Sequence, residues 1–121
     1  MNKYRNTPKD IHSRIYLFIV SCFRDVVRKI PITTENVPVI SQISSSLTSM
    51  GANDREADAS SSKKDFIAKY NIVKKETKET HYWLSFIKDA DILSKTIVEP
   101  FVIECQEILF IVSRIILNTK S

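Results

Sequence analysis

Glycine and proline are scarce in this chain, with one and four among 121 residues. Sheets need a tight turn every few residues, and such turns rely on glycine and proline, so the shortage disfavours an all-β fold. A single glycine also excludes the glycine-rich phosphate loops of the Rossmann and P-loop types, which need several glycines in one short stretch. Composition therefore excludes classes of protein before it identifies one.

Long apolar runs are missing as well. The longest are Ile15–Val20 and Ile108–Val112, far short of the roughly 20 residues that span a bilayer. The first residues are basic, but no small-residue cleavage site follows Phe23, as a secretory signal would require. We therefore expect a cytoplasmic protein without a signal peptide, a transmembrane helix or a membrane partner.

Cysteine and histidine number two each. Cys22 and Cys105 both fall on apolar helical faces, where a free thiol acts as a small hydrophobe. A disulfide between them is the less favoured alternative for a chain without secretion signals. Two cysteines and two distant histidines do not form a zinc site. We expect neither a metal nor another cofactor.

The sequence also lacks the patterns of common catalytic sites. A di-iron centre in a helical bundle needs two Glu-x-x-His pairs, but Lys9 and Lys78 stand three positions before His12 and His81. Sequence order does not exclude a Ser–His–Asp or Cys–His constellation. However, His81 precedes Tyr82 and Trp83 and is more typical of a helix surface or an interface. The chain is predicted not to be an enzyme.

What the sequence does contain is helical periodicity. We predict a single domain over residues 1–121 with helices at about 10–30, 37–57, 62–90 and 94–118. The third is the clearest, because its apolar and small residues recur at alternating spacings of four and three. They are Phe66, Tyr70, Val73, Thr77, Thr80, Leu84 and Ile87. Four amphipathic segments with short connections predict an all-α fold, an antiparallel up-down four-helix bundle.

Three positions in this pattern call for a structural explanation. Gly51 lies inside the second helix at a cost of about 1 kcal/mol relative to alanine, which close approach of another helix would explain. Ser62 is a suitable N-cap for the third helix, with Asp65 three residues later. Asp54 falls on the apolar seam of the second helix, where a buried carboxylate needs a partner. The sequence offers no obvious partner, and the alternative is that the helix ends there.

The first and last helices carry more apolar residues than one buried stripe requires. Twelve of the seventeen residues 101–117 and eleven of the sixteen residues 15–30 are hydrophobic. A second apolar face implies burial against another subunit, so the pattern favours self-association over a monomer with an apolar surface or a centrally buried helix.

Positive charge is clustered, although the net charge is only +4. Residues 63–78 carry six basic and two acidic side chains, and residues 1–29 carry seven and two. Lys63, Lys74 and Lys78 fall on one side of the third helix, opposite its apolar seam. A basic face suits contact with phosphate. The alternative is an ordinary solvated helix face, partly neutralised by Glu76 and Glu79.

Two segments carry a family resemblance. Residues 62–67 and 72–84 (SKKDFI and IVKKETKETHYWL), together with Gln42-Ile43, residues 49–53 (SMGAN) and Glu56, closely resemble a bacterial four-helix-bundle family. It comprises the proteins encoded in ribosomal-RNA intervening sequences, with relatives that act as accessory variability determinants of diversity-generating retroelements. The resemblance covers about residues 40–90. Ser44, Ser45, Asp54 and Arg55 depart from the pattern, and the two serines replace basic residues common in the family.

The resemblance implies a homopentamer with a basic surface and, for the retroelement relatives, binding to nucleic acid and to a reverse transcriptase. Two functions follow as expectations. The first is a non-enzymatic accessory protein that contacts the phosphates of RNA or DNA. The second is a self-assembling structural or protein-interaction module without nucleic-acid affinity, which the loss of charge at Ser44 and Ser45 favours. The predicted phosphate-binding residues are Lys63, Lys64, Lys74, Lys75 and Lys78, joined by Arg24, Arg28 and Lys29 at the end of the first helix.

Overall fold

The computed structural model describes residues 8–120, with side chains from residue 11 onward. This part of the chain contains four α-helices and no strand: α1 Pro8–Asp25, α2 Val37–Asp58, α3 Lys63–Asp89 and α4 Lys95–Lys120. The prediction of an all-α fold with four helices is confirmed. The basic residues at positions 1–5, which were weighed as a possible signal, lie outside the described residues.

The helices pack in a closed square. α1 contacts α2 and α4, and α3 contacts the same two helices from the opposite corner. Contacts between neighbours run in reverse order along the chain, as in antiparallel pairs. Ser46 meets Thr80 and Asp54 meets Tyr70, while Thr77 meets Cys105 and Lys88 meets Glu99. α1 and α3 therefore lie diagonally across the core.

The core is apolar with a few polar members. The predicted seam of α3 is buried from Tyr70 to Ile87, and Phe66 at its start is partly buried. The polar core residues bond within the bundle: the hydroxyls of Ser46 and Thr80 lie 2.8 Å apart, and Thr77 donates to the carbonyl of Val73 at 2.7 Å. Within the described residues, no helix is long and apolar enough to cross a membrane.

α1 ends at Asp25, five residues before the predicted boundary. A 3₁₀ turn at Val27–Lys29 follows, in which Lys29 and Ile30 donate to carbonyls three residues earlier. Ile30 is extended with a ψ of 124°, as the residue before Pro31 must be. Val26, Val27 and Ile30 are still buried. The apolar residues that predicted a longer helix are therefore buried by a 3₁₀ turn instead.

The helix boundaries have identifiable causes. Ser62 caps α3 by accepting the Asp65 amide at 3.0 Å, as predicted. α3 ends where Asp91 adopts a positive φ of 57° and Ile92 donates to the carbonyl of Ile87, the arrangement usually supplied by glycine. Pro100 lies inside α4. Because proline has no N–H, one carbonyl of that helix is left without its usual donor.

Candidate nucleic-acid interface

Five lysines of α3 form an outward-facing group, the α3 lysine cluster: Lys63, Lys64, Lys74, Lys75 and Lys78. Four of them are exposed and Lys74 is partly buried. Lys74, Lys75 and Lys78 line a surface depression of about 330 Å³ with Asn71 and Glu79. The structure therefore brings these three together, whereas Lys63 and Lys64 lie nearer the start of the helix.

The cluster differs from the other lysines of α3 in its charge partners. Lys69 pairs with Glu56 of α2 at 2.9 Å, and Lys88 pairs with Glu99 of α4 at 3.1 Å. Glu56 also raises the pKa of Lys69 through this hydrogen bond. Within the described residues, no member of the cluster forms an ion pair, and neither Glu76 nor Glu79 pairs with one. The two paired lysines bridge α3 to its neighbouring helices, while the cluster lysines have no carboxylate partner among the described residues.

Arg24, Arg28 and Lys29 do not join this cluster. They are exposed and lie at the far end of α1 and in the 3₁₀ turn. That end of the bundle is opposite Lys63 and Lys64, because α1 and α3 run in the same direction. Arg24 also lies 3.8 Å from Asp25. The structure thus places the predicted binding residues in two separate groups.

An aromatic group continues the outer face of α3 beyond the lysines. Tyr82 is 57% exposed and Phe86 is 39% exposed, and their rings are stacked with centroids 6.4 Å apart. Trp83 packs against the core and meets Tyr82 edge-on at 4.8 Å. Of the three rings, Trp83 is partly buried, and the other two are exposed to solvent.

Sequence reasoning missed a buried polar cluster around Asp54. This carboxylate is only 4% exposed. Its Oδ1 accepts a hydrogen bond from the Tyr70 hydroxyl at 2.6 Å and another from His12 Nδ1 at 2.7 Å. α2 continues past Asp54 to Asp58, so the alternative of a helix end there was wrong. The signal was available, because antiparallel helices joined by a short connector place Asp54 level with the start of α3.

The polar group around Asp54 is typical of a structural contact in the core and not of an open binding site. Burial first, and then the Asp54 charge, raise the pKa of Tyr70 well above its usual range. The His12 Nε2 atom is buried without a hydrogen-bond partner among the described residues, although an Asp58 oxygen lies 3.2 Å away. Within the described residues, no group of histidine, cysteine and acidic side chains could hold a metal ion.

The two cysteines are free and buried, as the pattern predicted. Burial raises the pKa of Cys22 to about 12 and raises that of Cys105 as well. The Cys105 thiol lies 3.4 Å from the Thr77 carbonyl. Both thiols are therefore neutral core members and not nucleophiles.

Six of the exposed apolar residues form two stripes, one on α1 and one on α4. The α1 stripe consists of Tyr16, Leu17 and Val20, and the α4 stripe of Ile103, Phe110 and Leu117. A charged network separates them along the groove between α1 and α4. There Arg14 donates two hydrogen bonds to Glu104, at 2.7 and 2.9 Å, and a third to Glu107 at 2.6 Å, and the bonds to Glu104 raise the Arg14 pKa.

Comparison with known proteins agrees with this architecture. The chain aligns over 90% of its length, and over 96% of the other chain, with a crystal structure of a protein of unknown function. That protein comes from the S23 ribosomal protein family of Bacteroides thetaiotaomicron, with a TM-score of 0.81 and 29% sequence identity. No curated protein matches the chain. Residues 10–114 match the model of the 23S rRNA-intervening sequence protein family. The chain therefore belongs to the 23S rRNA-intervening sequence protein family.

Proposed function

We propose that this protein is a non-enzymatic cytoplasmic accessory protein that binds the phosphate backbone of RNA or DNA through the α3 lysine cluster. The observation that carries the proposal is that, within the part of the chain that the structure describes, these five lysines form no ion pair, whereas two others on the same helix do. An ammonium group without a carboxylate partner is free to neutralise a phosphate. The cations condensed on the nucleic acid are then released, and this release favours binding.

The experiment is a salt series with the whole protein, a labelled generic RNA and a labelled DNA duplex. Affinity should fall steeply with salt, since each phosphate contact contributes about 0.7–0.9 to the log–log slope. The triple variant Lys74→Glu, Lys75→Glu and Lys78→Glu should abolish binding and leave helicity unchanged, because these side chains do not contribute to the apolar core.

The chain offers a matched control at the end of α1 and in the turn that follows it. The variant Arg24→Glu, Arg28→Glu and Lys29→Glu changes the net charge by the same amount at exposed positions, and we expect it to keep most of the binding. Equal loss in both variants would show that total charge matters and not the α3 cluster. Absence of any binding at low salt would refute the proposal.

Self-assembly is the second candidate function. The α1 and α4 stripes support it, because soluble monomers rarely leave several large apolar side chains exposed in groups. We propose a closed homo-oligomer, and the family resemblance makes a pentamer the expected state. In an oligomer each lysine cluster would be repeated, which would raise avidity for a long nucleic acid. The resemblance to retroelement accessory proteins would add a reverse transcriptase as a protein partner.

A further inference from the structure

The lysines and the exposed aromatic rings occupy one continuous strip of α3. At about 100° per residue, Lys75, Lys78, Tyr82 and Phe86 follow one another along the outer side of the helix. Tyr82 is four residues, or about 6 Å, beyond Lys78. A phosphate and a base of the same or the next nucleotide can span such a distance. We infer that this strip binds single-stranded nucleic acid, with phosphates on Lys74, Lys75 and Lys78 and a base stacked on Tyr82.

The state of the Tyr82 ring supports a base as the occupant. Neither Tyr82 nor Phe86 is among the residues that pack against the core, whereas Trp83 is. Trp83 meets the Tyr82 ring edge-on from below, and Phe86 lies roughly parallel to it. Within the described residues, the Tyr82 hydroxyl makes no hydrogen bond. The ring is therefore held in place by its neighbours while it remains largely open to solvent.

The nearby charges select a nucleic acid over an apolar protein surface. Lysines precede Tyr82 on one side, and Glu79, three residues before it, lies on the other. A strand that enters from Lys74 and Lys78 reaches the ring without crossing Glu79. Bases in a duplex are stacked inside it, so a convex helix face can stack on them only when the strand is single.

This inference rests on the proposed function and names the form of nucleic acid. The test uses the whole protein and three probes: an oligothymidylate of about 20 nucleotides, an abasic strand of equal length, and a duplex of that length. Tyr82→Ala should weaken binding of the oligothymidylate about tenfold, as expected for the loss of one stacked base. Binding of the abasic strand and of the duplex should not change. Tyr82→Trp should keep the affinity.

A control is available outside the strip and outside both apolar stripes. Ile32 is 85% exposed, so Ile32→Ala removes exposed apolar surface elsewhere and should not alter the affinity. A direct readout comes from Trp83, the single tryptophan of the chain. Its fluorescence should change when the oligothymidylate binds and stay constant with the abasic strand.

The outcomes separate this inference from the proposed function. If Tyr82→Ala binds the oligothymidylate like the parent while the triple lysine variant does not, stacking is refuted and phosphate binding stands. If the parent binds none of the three probes, both fail. If Tyr82→Ala changes the assembly state and not the affinity, the ring belongs to a protein interface and the inference is overturned.

Discussion

Asp54 is a carboxylate in an apolar core, and its burial costs free energy unless donors surround it. Tyr70 and His12 supply those donors from two other helices, at 2.6 and 2.7 Å. Three helices are thereby joined at one oxygen atom, near the start of α1 and the end of α2. These two hydrogen bonds fix the position of α1 along its axis relative to α3, which apolar side chains alone define less sharply.

Tyr70→Phe should show how much the hydrogen bond from Tyr70 to Asp54 contributes to stability. The change removes one hydroxyl and leaves the ring, so the loss reflects a hydrogen bond to a charged acceptor, about 1.5–3 kcal/mol of unfolding free energy. Urea denaturation measures it. Tyr16→Phe is the control, because its ring is exposed, and it should stay within about 0.5 kcal/mol of the parent. Equal midpoints for Tyr70→Phe and the parent would contradict the structural role given to Asp54.

At the scale of the element, Gly51 lies on the side of α2 that faces α1. An added Cβ at this position would lie 2.8 Å from Cδ1 of Ile19, so a side chain of α1 occupies the space beside the glycine. The obstacle is the far end of a side chain and not backbone. The cost of moving it is comparable with the helix propensity that alanine would add, about 1 kcal/mol.

Gly51→Ala should therefore be nearly neutral alone and stabilising when Ile19 is shortened. Ile19→Val removes the obstructing atom, so in that background the same change should raise the unfolding free energy by about 1 kcal/mol. Urea denaturation of the four proteins of this double-mutant cycle gives the coupling. Identical increments in the two backgrounds would mean that Ile19 does not limit the position.

The sequence allowed the four helices to be located because periodicity records which face is buried, and the seam of α3 was assigned almost completely. The end of α1 was misplaced because a 3₁₀ turn buries Val27 and Ile30 as well as a helix would. Asp54 had no assigned partner because its donors lie on other helices, and the antiparallel pairing of α2 with α3 is what brings Tyr70 level with it. The separation of Arg28 from Lys75 is likewise a property of the assembled bundle and not of either segment.

At the scale of the whole molecule, two buried thiols and one buried phenol make the stability of the fold depend on pH in the alkaline range. Burial raises the pKa of Cys22, Cys105 and Tyr70 above their unfolded values of 9.0 and 10.0. The folded state keeps these protons where the unfolded state releases them. Their contribution to stability is therefore complete below about pH 9 and falls as pH rises further.

We expect the unfolding free energy to fall from about pH 9 upward, with a slope approaching 1.4 kcal/mol per pH unit for each group that titrates only when unfolded. Urea denaturation between pH 8 and pH 11 measures this slope. Tyr70→Phe removes one of the three groups, so the slope above pH 10 should be shallower in that variant. A stability that does not change up to pH 11 would contradict the assigned burial.

The positions of the two apolar stripes decide which symmetry the proposed assembly could have. A two-fold dimer joins one surface to itself, whereas a ring joins two different surfaces head to tail. Phe101 and Glu104 face α1, and Ile103 and Phe110 lie on the other side of α4. The α1 and α4 stripes are thus separate surfaces on one copy, which is the arrangement that a ring requires.

Light scattering at micromolar concentration should therefore give a multiple of 13.9 kDa. Leu17→Lys and Phe110→Lys each place a charge in one stripe, and each variant alone should be a monomer, while Asn118→Lys on the exposed surface of α4 should assemble like the parent. Mixing the first two variants is the decisive step, because each keeps the surface that the other lacks. A head-to-tail contact predicts one heterodimer of twice the chain mass and nothing larger. If each variant dimerised by itself, the contacts would be two-fold, and a parent that stays at 13.9 kDa would refute assembly altogether.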